Sequence, residues 1–242
     1  MSTKPFYPDS KLNDYLNGSA AIIPLTLGAI PFGVIYGAIA SSINLSLIET
    51  TAMSALVFAG SAQFVALGML AADSALSMII ITAIIVNLRH ALYSAWLAPQ
   101  LASLTLKWKS ILAFGLTDEV FAIVSQHYKN NGVGNRWFFL GAASFLWLFW
   151  TLSSLFGYIA GTRFPELNQL GLEIAMPITF GSIVLLTIKD KASYVATIVA
   201  CISAYLSKDL PHQLGLIVAT LLGIGSGYLA SQSGRLKEGD ND

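Results

Sequence analysis

Apolar residues in this chain come in long unbroken runs, and the polar positions fall mostly between those runs rather than alternating within them. Residues 20–43 carry no charge and include Pro24, Pro31 and a ladder of Gly28, Gly33 and Gly37, the pattern of a kinked, closely packed membrane helix. Further runs follow at 50–72, 74–97, 110–126, 137–161, 167–188, 192–207 and 213–232. A helix needs roughly 17 to 25 apolar residues to cross the hydrocarbon layer, and the fourth and seventh runs sit at or below that range. The pattern predicts an all-α, polytopic integral membrane helix bundle of six to eight membrane segments, with the short runs as partial or re-entrant elements.

Several runs are interrupted by polar residues, and these interruptions recur in a loose pattern. The second holds Gly60, Ser61 and Gln63; the third Asn87, Arg89 and His90; the fourth Asp118 and Glu119; the sixth Glu173 and Pro177. Phe32-Gly33-Val34-Ile35-Tyr36-Gly37 can be laid over Phe156-Gly157-Tyr158-Ile159-Ala160-Gly161, each preceding an interrupted run. The match continues loosely from Ala52-Met53 and Phe58-Ala59-Gly60-Ser61 to Ala175-Met176 and Phe180-Gly181-Ser182. Repeats with broken segments in corresponding places mark secondary transporters, although apolar Gly-rich helices also resemble one another by chance.

Composition narrows the class. Of 242 residues, 55% are apolar and 11% charged, too few charges to cover a water-facing surface. Thirteen basic and thirteen acidic residues cancel, so there is no basic footprint for nucleic acid. Cys201 stands alone, which excludes an intrachain disulfide or thiolate metal site. No cleaved signal is read, because Lys4, Asp9, Lys11 and Asp14 precede a run too long for a signal core. With eight crossings and the start inside, Lys4, Lys11, Lys129, Arg136, Lys189, Lys191, Arg235 and Lys237 are cytoplasmic, against Lys107, Lys109, Arg163 and Lys208 outside. This is the direction of the positive-inside rule, and it sharpens if segments two and four are re-entrant. The organisation expected is a cytoplasmic N-terminal tail at 1–19, a single transmembrane transport domain at 20–232 and a cytoplasmic C-terminal tail at 233–242.

Arg89 lies some 22 Å into its run by helical rise. It cannot shed its charge there, and facing lipid would cost at least ~2.5 to 3.5 kcal/mol. Either its planar fork takes a carboxylate, of a substrate or of Asp118 or Glu119, or it snorkels with Tyr93 and Trp96 as interfacial anchors. Asn87 and His90 crowd the same turn, and His90 could couple transport to protons by titrating near neutrality, although the adjacent Arg opposes its protonation. Asp118 and Glu119 point about 100° apart on a helix, so they cannot both face one site. Thr117 before them marks a break at which the acid caps a second piece of helix. Gly60, Ser61 and Gln63 mark an unwound point whose backbone could take a carboxylate, or simply a place where helices approach closely. Gly33, Gly37, Gly157, Gly161, Gly223 and Gly227 are assigned to packing, and His127 and His212 to the surface. No metal-binding His pair, phosphate-cradling loop or nucleophile motif is present, so no catalytic residue, metal or cofactor is expected.

Three stretches carry a family resemblance: Ala59-Gly60-Ser61-Ala62-Gln63-Phe64, then Asn87-Leu88-Arg89-His90-Ala91-Leu92-Tyr93, then Phe114-Gly115-Leu116-Thr117-Asp118-Glu119-Val120-Phe121-Ala122. In order and spacing they resemble the AzlC family of membrane proteins over nearly the whole chain, most strongly from Leu56 to Ala122. The resemblance implies the large subunit of a two-component exporter of branched-chain amino acids, working in the bacterial cytoplasmic (inner) membrane with a small membrane subunit of the AzlD (YgaH) type. Valine, leucine, isoleucine and methionine are the substrates in view. Gly60, Ser61, Gln63, Asn87, Arg89, Asp118 and Glu119 are the candidate substrate-binding residues, with His90 as the proton-coupling candidate. A passive channel, an assembly subunit and an intramembrane enzyme are the alternatives.

Overall fold

In a computed structural model of the protein, residues 11–131, 134–164, 188, 190–208, 210 and 214–238 are described. Every regular element among them is a helix: α1 (Lys11–Ser42), α2 (Leu47–Leu56), α3 (Gly60–Ala71), α4 (Leu76–Asn87), α5 (Arg89–Leu97), α6 (Leu106–Phe114), α7 (Asp118–Asn131), α8 (Arg136–Arg163), α9 (Lys191–Leu206) and α10 (Leu214–Glu238). The sixth run, with Glu173 and Pro177, lies outside the described residues. So do the repeat matches at 175–176 and 180–182, the chain ends at 1–10 and 239–242, and His212. Lys11–Ser42, Leu76–Leu97 and Arg136–Arg163 are long and apolar enough to cross a membrane. The described residues fall into two compact units, one drawn from Met1–Leu67 and Ala83–Leu170, the other from Gly68–Thr82 and Gly171–Asp242.

Three of the predicted runs are each built as a pair of short helices, the third dividing only at Leu88, whose backbone stays helical so that Leu76–Leu97 runs on as one span. The second run breaks between α2 and α3, and the fourth between α6 and α7. A twelve-residue helix such as α3 spans about 18 Å, little more than half the hydrocarbon layer. Ser46 and Glu49 start α2 with a capping box, the Glu49 carboxylate accepting from the Ser46 N–H at 2.7 Å. Those bonds favour the ionised form and hold the Glu49 carboxyl below its ordinary range.

The first unit is organised on the seam between α1 and α8, where small residues let two long helices touch backbone to backbone. A Cβ on Gly18 would meet the Phe138 carbonyl, on Gly37 the Ser154 carbonyl, and on Gly157 the Val34 carbonyl. Ser19 Oγ donates to the Gly141 carbonyl at 3.1 Å, and Tyr15 and Ser144 share a 2.8 Å hydroxyl bond. Contacts near residue 18 thus meet those near 138, and contacts near 37 meet those near 157, so the two helices run parallel. The motifs read as a repeat pack against one another here, and the packing role expected of Gly33, Gly37, Gly157 and Gly161 is their role in the structure.

In the second unit α9 and α10 form an antiparallel hairpin. Gly223 faces Ala200, Gly227 faces Ala196, and the Ser207 hydroxyl donates to the Gly215 carbonyl at 3.1 Å. Asp190 caps α9 by accepting from the Ser193 N–H at 2.7 Å.

Candidate functional site

The break between α2 and α3 is held by α8. Breaking a helix orphans carbonyls at one end and N–H groups at the other, and buried orphans need partners. The indole of Trp147 donates to the Ala55 carbonyl at 2.9 Å, near the end of α2. At the turn itself Phe58 has φ 47°, a left-handed conformation that costs a non-glycine residue roughly 1 to 3 kcal/mol and persists only where surroundings over-determine it. Its buried ring packs against Phe114 at the end of α6, centroids 6.2 Å apart, so the two breaks are neighbours.

Gln63 locks the start of α3 onto α8 through a closed circuit. Trp150 Nε1 donates to Gln63 Oε1 at 3.1 Å, Gln63 Nε2 to Ser54 Oγ at 3.1 Å, Ser54 Oγ to Ser154 Oγ at 2.8 Å, and Ser154 Oγ to the Trp150 carbonyl at 2.8 Å. Gln63 is 0% exposed, and both ends of its amide are committed to protein groups. The same Trp150 ring lies over Gly60, where a Cβ would come within 3.0 Å of it. Gln63→Leu is therefore expected to strand the Trp150 N–H and to take from the Ser54 oxygen the bond it accepts, at a cost of about 1 to 3 kcal/mol. Thermal unfolding in detergent should show a clear drop in midpoint, whereas an amide pointing at substrate would leave the midpoint unchanged.

The second break has a simpler construction. α6 ends at Phe114; Gly115 is buried beside Ala143 of α8, and α7 begins at Asp118. The Thr117 hydroxyl accepts from the Val120 N–H at 3.3 Å. Thr117, and not the acid after it, makes the cap bond, which leaves the Asp118 carboxylate free to reach sideways. Val120, Val124 and Tyr128, spaced four apart, bury one face of α7.

Arg89, first residue of α5, ties the two breaks together. Its Nη1 lies 2.6 Å from Asp118 Oδ2, and its Nη2 donates to Ser61 Oγ in the first turn of α3. Tyr93, one turn further along α5, donates to Asp118 Oδ1 at 2.6 Å and stacks on Phe121 at 4.3 Å. The guanidinium thus meets the first turns of α3 and α7 at once. Helix starts carry partial positive charge and unpaired N–H groups, and two such starts stand around this ion pair. Two buried polar atoms there, Arg89 Nε and Asn87 Oδ1, have no partner among the described residues.

Of the other candidates, Glu119 makes no hydrogen bond or ion pair among the described residues, in keeping with its turn away from Asp118. His90 Nδ1 contacts the Asn87 carbonyl at 3.1 Å, and its ring stands edge-on to Tyr93 at 5.9 Å. His127 stacks on Phe138 at 3.7 Å, which gives this surface residue a packing role as well. Tyr93, Trp150, Ser54 and Ser154 were not among the sequence candidates. Tyr93 could have been found by its spacing of four from Arg89, which places both on one face; the two serines carry no such signal.

An all-helical membrane protein with an ion pair set between two interrupted helices is the class that this architecture defines. The chain belongs to the AzlC family: the family profile, described as AzlC protein, matches residues 24–164, from within α1 to just past the end of α8 and including both breaks. It is 30% identical over 225 residues to Inner membrane protein YgaZ of Escherichia coli, covering 90% of this chain and 89% of that protein. It is 31% identical over 159 residues to Branched-chain amino acid transport protein AzlC of Bacillus subtilis, covering 65% of this chain and 61% of that one. An uncharacterized membrane protein of Archaeoglobus fulgidus is 32% identical over 216 residues, covering 88% and 94%. No solved structure matches the chain.

Proposed function

We propose that this chain is the large subunit of a secondary transporter that exports aliphatic α-amino acids, valine, leucine and isoleucine foremost and methionine among them, across the cytoplasmic membrane. The observation that carries the reading is the Arg89–Asp118 pair at the two helix breaks, with Arg89 Nε still unpartnered. An amino acid zwitterion carries the same two charges as that pair. Its carboxylate can replace Asp118 on the guanidinium while its ammonium takes the Asp118 oxygen so released, and no charge is left unpaired at any point. Ser61 and Tyr93 hold the two partners in place during the exchange, each by its own hydrogen bond. The name of the Bacillus relative supports a branched-chain substrate.

Within this reading Gly60 and Ser61 present the start of α3 to the carboxylate, Asn87 offers its orphan amide oxygen, Glu119 supplies a second negative charge nearby, and Gln63 positions α3 through Trp150. His90, edge-on to Tyr93, is the group assigned to proton coupling. The partner is a small AzlD-like membrane subunit, both chain ends lie in the cytoplasm, and the protein performs no covalent chemistry.

Uptake of labelled valine into proteoliposomes carrying the full chain, with and without the co-expressed small subunit, tests the reading. Saturable uptake that unlabelled leucine competes away is the expected result. Flux proportional to concentration at all levels would make the protein a channel, and chemical change of the valine would make it an enzyme.

A further inference from the structure

A cavity of about 200 Å³ opens between α5 and α6, and its lining includes Ser94, next to Tyr93, and Leu116, two residues before Asp118. Its floor is Leu97, Leu112, Leu116 and Phe139, all buried, and its mouth is flanked by the exposed Ala98 and Ala113. Lys109 also borders it, but the ammonium is turned onto the Ala102 carbonyl at 3.0 Å, so the cavity surface is mainly apolar. An apolar cavity of roughly 150 Å³ takes a benzene-sized guest, so this one has room for a four-carbon aliphatic chain.

We propose that this cavity is the side-chain subsite of the transport site, which selects aliphatic amino acids by length and bulk. The inference rests on the ion-pair reading above. Continuity carries it. Leu116 lies two residues before Asp118, which bounds their Cα separation at about 7 Å. Ser94, also at the cavity, follows Tyr93, whose hydroxyl holds Asp118. An amino acid whose ammonium rests on Asp118 therefore has its side chain within reach of the cavity. The apolar floor rewards each added methylene and offers nothing to a polar side chain. In sites of this kind one methylene shifts discrimination roughly 10- to 200-fold.

Ala113→Leu and Ala98→Leu fill the mouth from opposite walls without touching the ion pair. The measurement is inhibition of labelled-valine uptake by alanine and by leucine, in proteoliposomes with the full chain and its small subunit. In wild-type protein leucine should be the stronger competitor. In either filled variant the ratio of the two inhibition constants should collapse about tenfold or more, mainly by loss of leucine binding. Alanine competition serves as the check that each variant is folded, and two independent walls guard against one failing to assemble. Wild-type protein without preference for leucine, or filled variants that keep the wild-type ratio, would overturn the proposal; an unchanged ratio is also the outcome if the cavity holds a lipid acyl chain. Arg89→Gln separates this failure from that of the underlying reading. If it leaves competition by both amino acids intact, the ion-pair site is wrong; if it abolishes both while filling leaves the ratio alone, only the side-chain subsite is wrong.

Discussion

Arg89→Gln and Asp118→Asn should each lower transport about 100-fold, and the double variant should recover stability without recovering transport. Removing one member of a fully buried pair strands the other at about 3 to 5 kcal/mol. Here the side chains are 32% and 39% exposed, so screening reduces the expected loss of stability to roughly 1 to 3 kcal/mol in each single variant. Neutralising both removes the stranded charge, and protein level and thermal midpoint should return toward wild type. Transport should not return, because the double variant has neither the cation that binds a carboxylate nor the anion that binds an ammonium. A double variant that transports normally would reduce the pair to a structural element. Charge-assisted hydrogen bonds worth about 1.5 to 3 kcal/mol each make the 100-fold figure a modest demand.

Gly157→Ala and Gly37→Ala should be among the most damaging single-methyl changes in the described residues. In each case the new methyl lands on a backbone carbonyl of the facing helix, Val34 for Gly157 and Ser154 for Gly37. Neither α1 nor α8 can give way locally, since the contact is between main chains and the seam runs most of their length. Overpacking a close contact costs about 1 to 3 kcal/mol, and more when backbone must move. Gly28→Ala is the control: a Cβ there meets nothing within 4 Å, and the substitution should stay within about 1 kcal/mol of wild type. Yield of folded protein and unfolding midpoint in detergent read the difference, and equal damage at Gly28 and Gly157 would refute the seam as described.

The broken helices and the Arg89 contact with an acid were both legible in the sequence. Gly60, Ser61 and Gln63 stand out in an apolar run, and a charge at membrane depth must find a partner. Which carboxylate it finds was not legible, since adjacent acids differ only by a rotation about the helix. The sequence leaves Gln63 open to a substrate or to close helix packing, and in the structure both ends of its amide bond protein groups. Its partner Trp150 comes from a helix 87 residues away in sequence, and an aromatic-rich run looks the same whether its indoles face lipid or a buried amide. Tyr93 is ambiguous in the sequence for a similar reason: a ring with a polar tip serves a headgroup or a carboxylate equally well. Helix ends also escaped the hydropathy pattern. α1 starts at Lys11, ahead of the apolar run, because polar residues continue a helix past the hydrocarbon and hydropathy marks membrane depth, not hydrogen bonding.

The parallel seam imposes a parity rule on the chain between its two helices. α1 and α8 enter from the same face of the bilayer, so the chain leaving Ser42 on one side must arrive at Arg136 on the other, after an odd number of net crossings. Leu76–Leu97 is long enough to supply one of them. If it crosses, the two broken segments either both traverse the membrane or both return to the side they came from, because a mixture would make the count even. Everything on α1 and α8 keeps its side in either case, while the turn between α5 and α6, with Lys107 and Lys109 just after it, changes sides. The sidedness of that single turn therefore determines the path of both interrupted helices at once.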